Sequence, residues 1–331
     1  AEAETFLQRE QRGTFDLSRG PLLRVHLLKL ADHDHILMLC MHHIIADGWS
    51  MAIVSDELRQ LYDSHAAGRT PALPPLPIQF VDFAQWERER LDRGELDEQI
   101  AQWKQMLAGA PALLDLPLDR PRPASETHRG RRLRFEVSAE LTDALRRFAR
   151  GERATLYMAL LSVFEILLYR YSGQRDIVIG TPMANRNRSE VEKVIGFFAN
   201  TLPLRIELTR EQTVRELIQN IRNAAIAVYA VAEVPFERLV QELAPARNLS
   251  HAPLFQVMLS YNSISQSDWK LGDARAQVIE TDTETAKFDL MFHFMDQGQG
   301  LSGYLEYNTD LFNHDTAERM VRHFLRLAQA V

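Results

Sequence analysis

Leu156 to Tyr171 is apolar nearly all the way round a helix. Leu156, Leu160, Leu161, Phe164, Leu167 and Leu168 cover most of its circumference. Such a helix has to be buried on several sides, so other elements must wrap it in layers. The stripe reads as core and not as a cofactor-binding face. At 331 residues the chain is long enough for one large core or two medium ones.

The rest of the chain supplies the layers. Strands are expected at Leu22–Leu30, Ile36–His43, Arg132–Val137, Asp176–Gly180, Thr201–Leu208, Leu254–Tyr261, Phe288–Met295 and Leu301–Tyr307. Helices are expected at Met51–His65, Val81–Leu91, Leu96–Leu107, Ala139–Ala149, Val214–Ala232 and Asp315–Ala330. The proline-rich connector Gly68–Pro77 can be neither helix nor central strand, and a second proline-rich stretch spans Pro111–Pro123. No repeat period stands out. Mixed strands and helices give an α/β layered architecture.

Residues 41–50 read Met-His-His-Ile-Ile-Ala-Asp-Gly-Trp-Ser and carry the candidate chemistry. The apolar run Ile36–Met41 before them reads as a buried strand. Successive side chains in a strand point to opposite faces, so His43 is expected to share a face with Met41 and Leu39, and His42 the other with Cys40 and Met38. His43, last in the strand, is the one expected to reach a substrate. Imidazole suits general-base or proton-positioning work near neutrality. Asp47 either accepts a hydrogen bond from the His43 ring or turns aside to an arginine and holds the loop. Gly48 is expected to permit the turn's backbone angles, and Ser50 or Asp47 to cap the helix near Met51. Because the histidines diverge, no metal site is expected. Cys40, the only cysteine, lies on the His42 face and reads as a small core residue.

The bulk numbers exclude several classes. Hydrophobic residues at 46% and charged ones at 25% are ordinary for a globular protein. Net charge is −7 with both signs interspersed, so no footprint for nucleic acid is present. Arg129, Arg131, Arg132 and Arg134 form the main basic concentration and read as a solvated strand edge. No segment approaches the roughly 18 apolar residues of a membrane span, so no membrane partner is expected. The start is acidic and is not a signal peptide, and one cysteine fits a reducing compartment. Cytoplasm is the expected location.

The decapeptide resembles the His-His-x-x-x-Asp-Gly signature of condensation domains from nonribosomal peptide synthetases, and further motifs follow in family order. Phe80-Val-Asp-Phe-Ala-Gln-Trp86 is similar to the fourth, with Phe80 for the usual tyrosine. Ile195-Gly-Phe-Phe-Ala-Asn-Thr-Leu-Pro-Leu-Arg205 is similar to the fifth, with Ala199 where valine is common. Val234-Pro-Phe-Glu237 matches the core of the sixth, although Val231, Ala232 and Glu233 replace its usual opening. Arg247–Leu254 resembles the seventh. Thr14–Leu23 resembles the family's lead into the signature strand, and two motifs found further upstream in the family are not present.

The resemblance implies two chloramphenicol-acetyltransferase-like α/β sandwich lobes in a V, the first truncated at its N-terminus. Residues 1–76 would be the remainder of the N-terminal lobe, and 77–331 the connector helices and C-terminal lobe. It implies His43 as the catalytic residue, with His42, Asp47, Gly48 and Arg186 building the site, because family members pair the signature aspartate with a distant arginine. A surface arginine is the alternative for Arg186. Asn200 and Thr201 either line a substrate tunnel or form a polar strand-end pair. The implied reaction is peptide-bond formation between an acyl or peptidyl thioester and an aminoacyl acceptor. The domain itself would bind no cofactor, since both substrates arrive on the 4'-phosphopantetheine of upstream and downstream peptidyl carrier proteins. An adjacent adenylation domain is the further partner. The motifs look most like the subtype with an L-aminoacyl donor and acceptor. Alternatives are starter-type N-acylation with a fatty acyl donor, epimerisation, a noncatalytic carrier-docking domain, and a free-standing acyltransferase.

Overall fold

The computed structural model describes residues 2–243, 248–263, 269–279 and 283–331. The chain divides into two units. The first comprises Ala1–Arg90, Ala184–Ala199 and Asp268–Thr283, and the second Leu91–Met183, Asn200–Ser267 and Glu284–Val331.

The first unit opens with helix α1 (Glu2–Arg12), which sequence reading did not anticipate. Strands β1 (Leu23–Ala31) and β2 (Asp34–Met41) form an antiparallel pair with Val25 opposite Leu39 and Leu27 opposite Leu37. Strand geometry separates two faces. One carries Leu23, Val25 and Leu27, all exposed. The other meets α1, where Phe6 lies edge-on to His26 and Arg24 Nη2 donates to the carbonyls of Glu10 and Gly13 at 2.8 and 2.9 Å. Helices α2 (Gly48–Ala66) and α3 (Phe80–Asp92) follow. The proline-rich stretch at 68–77, after which the sequence suggests a change of domain, lies inside this unit, whose first segment runs on to Arg90.

The signature strand is shorter than expected. It stops at Met41, and His43–Ile45 is a single 3₁₀ turn with His42 as its N-cap. Period-two alternation therefore does not decide where the two imidazoles point. The turn wins because His42 Nδ1 accepts the Ile44 N–H at 3.1 Å, a local bond that competes with the ladder.

In the second unit, α4 (Asp97–Met106), β3 (Gly130–Val137), α5 (Ala139–Gly151) and α6 (Leu156–Ser172) come first. Strands β4 (Asp176–Met183) and β5 (Asn200–Glu207), helices α7 (Val214–Ala230) and α8 (Phe236–Leu243), and strand β6 (Val257–Asn262) follow. The chain then contributes an unanticipated hairpin, β7 (Trp269–Leu271) and β8 (Ala274–Ala276), to the first unit. Strands β9 (Leu290–Asp296) and β10 (Leu301–Asn308) and helix α9 (His314–Ala330) complete the second.

Six strands form one mixed sheet in the order β3-β10-β9-β6-β4-β5. The β4–β6 and β6–β9 pairs are parallel and the other three antiparallel. Helix α6 starts at a Thr155 cap, ends at Gly173 in the left-handed region (φ 71°), and buries ten residues, as its all-round apolarity requires. It packs against α5, α7 and α9. Phe164 of α6, Phe292 and Phe294 of β9 and Phe324 of α9 have ring centroids 4.8–6.1 Å apart at the centre of the core. β6 begins three residues later than expected. Leu254 has a positive φ of 68°, and the Phe255 ring lies so close to β4 that a Cβ at Gly180 would sit 2.2 Å from it. β3 is an edge strand of this sheet, with Arg129, Arg131 and Arg134 exposed, while Arg132 is half-buried and its Nε donates to Glu306 of β10 at 3.0 Å. The seventh-motif arginine, Arg247, lies outside the described residues.

Candidate active site

The site is built around Asp47. It caps α2, accepting the Ser50 N–H at 2.8 Å, so the helix begins at Gly48 and not at Met51. Asp47 is 3% exposed, and a carboxylate so deep needs partners. Arg186 supplies one. Its Nη2 donates to Asp47 Oδ1 at 3.2 Å and Oδ2 at 3.5 Å, with both side chains buried. The Phe198 N–H donates to Oδ2 at 3.1 Å.

Arg186 is itself held through both terminal nitrogens. Nη1 donates to the carbonyls of Val191 and Val194 at 2.6 and 2.7 Å, and Nη2 also reaches Ser50 Oγ at 2.9 Å. The Phe198 ring lies 4.1 Å from its guanidinium carbon. Burial pulls the guanidinium below its ordinary pKa while Asp47 pulls it back, and it stays charged. The surface alternative for Arg186 therefore fails.

Ser50, wholly buried, is the residue that sequence reading weighed only as a cap. Its single proton is shared between Asp47 Oδ1 at 2.7 Å and the Gly196 carbonyl at 2.8 Å, and it accepts the Gly196 N–H at 3.1 Å. The loop at 42–50 and the segment at 184–199 are thus locked together inside the first unit. The available signal was the serine three residues after a capping aspartate, but its second partner is 146 residues away in sequence.

His43 is exposed, and its ring turns to its own loop. Nδ1 lies 2.7 Å from the Ala46 carbonyl. A carbonyl oxygen only accepts, so Nδ1 carries the hydrogen and the lone pair of the neutral ring is on Nε2. Of the two expectations for Asp47, the turn toward an arginine is the one observed. His42 points elsewhere, capping the 3₁₀ turn with Phe15 edge-on at 6.1 Å. Gly48 differs from expectation. It is the first residue of α2, lies outside the left-handed region, and has open space where a Cβ would project.

Asn200 and Thr201 belong to the second unit. The Asn200 amide is fully used there. Its nitrogen donates to the carbonyls of Ala232 and Val234 at 3.0 and 2.9 Å, and its oxygen accepts from the N–H groups of Thr201 and Phe236 at 2.9 and 3.0 Å. Thr201, half-buried, is next to it at the start of β5. No group of three or more His, Cys, Asp or Glu side chains is close enough to hold a metal among the described residues. No single described helix is long and apolar enough to cross a membrane.

An exposed histidine with a fixed tautomer, beside a buried Asp–Arg pair, sits inside a chain that a family model described as Condensation domain matches over residues 1–331. The chain belongs to the condensation-domain family. This condensation domain is 46% identical over 319 residues to one of the linear gramicidin synthase proteins of Brevibacillus parabrevis, covering 96% of this chain and 4% of that protein. It therefore spans a small fraction of the relative's length. Among solved structures, a teicoplanin-biosynthesis X-domain in complex with OxyB matches with a TM-score of 0.88 and 31% identity, over 100% of this chain and 74% of that one. A four-domain nonribosomal peptide synthetase bound to AMP and glycine matches with a TM-score of 0.89 and 26% identity, over 99% of this chain and 26% of that one. The fold is thus the chloramphenicol-acetyltransferase-like fold of condensation domains, with a mixed sheet.

Proposed function

We propose that this condensation domain forms an amide bond between an acyl or peptidyl thioester and the α-amine of an aminoacyl acceptor. Both substrates are carried on the phosphopantetheine arms of carrier proteins, within a synthetase that also holds an adenylation domain. The observation that supports the reading best is the hydrogen bond from His43 Nδ1 to the Ala46 carbonyl, which leaves the basic Nε2 of an exposed ring without a hydrogen-bond partner among the described residues.

In this reaction the acceptor nitrogen attacks the donor carbonyl carbon. A C–N bond forms, the C–S bond breaks, and the donor arm leaves as a thiol. His43 Nε2 accepts the proton that the amine loses and returns it to the departing sulfur. It also orients the amine, which for an already neutral nucleophile is the larger contribution. Asp47, Arg186 and Ser50 stay out of the chemistry and hold the loop that presents His43. Thr201 is the better of the two candidates for a substrate contact, because the Asn200 amide is spent on the fold.

Transfer between two loaded carrier proteins, followed by intact-protein mass spectrometry on the full-length protein, tests the reading. His43→Ala should lower turnover by at least about a hundredfold. Wild-type rates in that variant would refute the assignment. In the alternative reading the fold docks a partner without doing chemistry, and the peptide synthetases among its relatives do not favour it. Any His43-dependent product rejects it.

A further inference from the structure

His43 is tied to its own loop at one ring nitrogen, and a single hydrogen bond leaves a ring free to tilt. The second constraint is Phe197. Its ring centroid is 4.9 Å from that of His43, with the planes at 73°, an edge-on contact. Phe197 is also 38% exposed, so burial does not explain where it sits.

Its neighbours do. The Gly196 N–H and carbonyl both meet the Ser50 hydroxyl, at 3.1 and 2.8 Å. The Phe198 N–H donates to Asp47 Oδ2, and the Phe198 ring is buried with Val191 and Val194 against Phe80 and Phe83. A Cβ at Gly196 would lie 2.3 Å from the Phe80 ring, so only glycine lets the backbone run this close. Two buried anchors, one on each side, fix the backbone of residue 197. The same Asp47–Ser50–Arg186 cluster fixes the loop that carries His43. Both rings are thus referred to one rigid centre.

We propose that Phe197 is a positioning residue for His43. Its ring covers one flank of the imidazole against water and holds it with Nε2 facing the incoming group, which meets an apolar wall at that point. The kinetic consequence rests on the amide-forming reading, whereas the reactivity of His43 does not.

The test compares wild type, Phe197→Ala and Phe197→Leu in the full-length protein. Carbethoxylation of each histidine by diethyl pyrocarbonate is followed by peptide mass spectrometry, with the exposed His33 and His35 as internal references. Turnover between loaded carriers is measured alongside. Phe197→Ala should make His43 react about threefold faster relative to the references. It should lower kcat about tenfold with little change in KM, because loss of orientation acts on the reacting geometry. Phe197→Leu should recover most of both. Unchanged His43 reactivity in Phe197→Ala overturns the positioning claim, and so does a wild-type kcat. Should wild type give no product with any donor, the amide-forming reading fails and His43 reactivity alone decides the proposal.

Discussion

Asp47 turns its charge inward to the fold. Both its oxygens are taken up by Arg186, Ser50 and the Phe198 N–H, while the His43 ring turns to Ala46. A buried ion pair contributes little net stability, but removing one partner strands the other charge. Asp47→Ala should therefore lose about 3–5 kcal/mol of folding stability in denaturant melts. The Asp47→Ala, Arg186→Met double variant should lose clearly less than the two single losses added together, since neither charge is then orphaned. A well-folded but inactive Asp47→Ala protein would contradict this and would place Asp47 in the chemistry. The sequence displayed the aspartate and the histidines openly. It did not display Ser50 or Phe197 as site residues, because their importance comes from partners far away in the chain.

At the scale of elements, the joint before α8 is the informative case. One helix is expected over Val214–Ala232, but α7 ends at Ala230, and Val231, Ala232 and Val234 turn into the core. Pro235 then begins a short separate helix. Asn200 makes that joint possible by satisfying the carbonyls of Ala232 and Val234, which no helix any longer serves. Asn200→Ala leaves those two acceptors and the N–H groups of Thr201 and Phe236 without this partner. It should cost about 2–5 kcal/mol. Equal melting temperatures for the variant and the wild type would show that the amide is dispensable, and would reopen Asn200 as a substrate contact. The early stop of β2 belongs to the same class, since the His42 N–H still bonds the Leu22 carbonyl but its side chain caps a 3₁₀ turn that takes over from the strand. Periodicity locates elements well, but it is blind to caps and joints that override it at their ends.

The second unit carries one feature that acts on the stability of the whole molecule. Glu165, in the middle of α6, is wholly buried, and neither of its oxygens has a hydrogen-bond partner among the described residues. Burial, reinforced by Asp176, raises its carboxyl pKa well above the ordinary 4.5. The folded state therefore binds a proton that the unfolded state releases above about pH 4.5. Its contribution is most favourable below that pH and is lost as pH rises through the elevated folded value. Glu165→Met should be more stable than wild type at pH 8, by on the order of 1–3 kcal/mol, with the gap narrowing toward pH 5. Parallel stability–pH curves for the two proteins would sink the assignment. Sequence alone determined that α6 is central, because a helix apolar on every side has only one kind of place to go. It also determined the family, because several short motifs occur in order along one chain. Only the tertiary structure decided which nitrogen of His43 is free, where Asp47 sends its charge, and that Phe197 stands beside the imidazole. The first depends on how a short loop turns back on itself, and the other two on contacts between segments about 140 to 155 residues apart, which no local pattern of residues records.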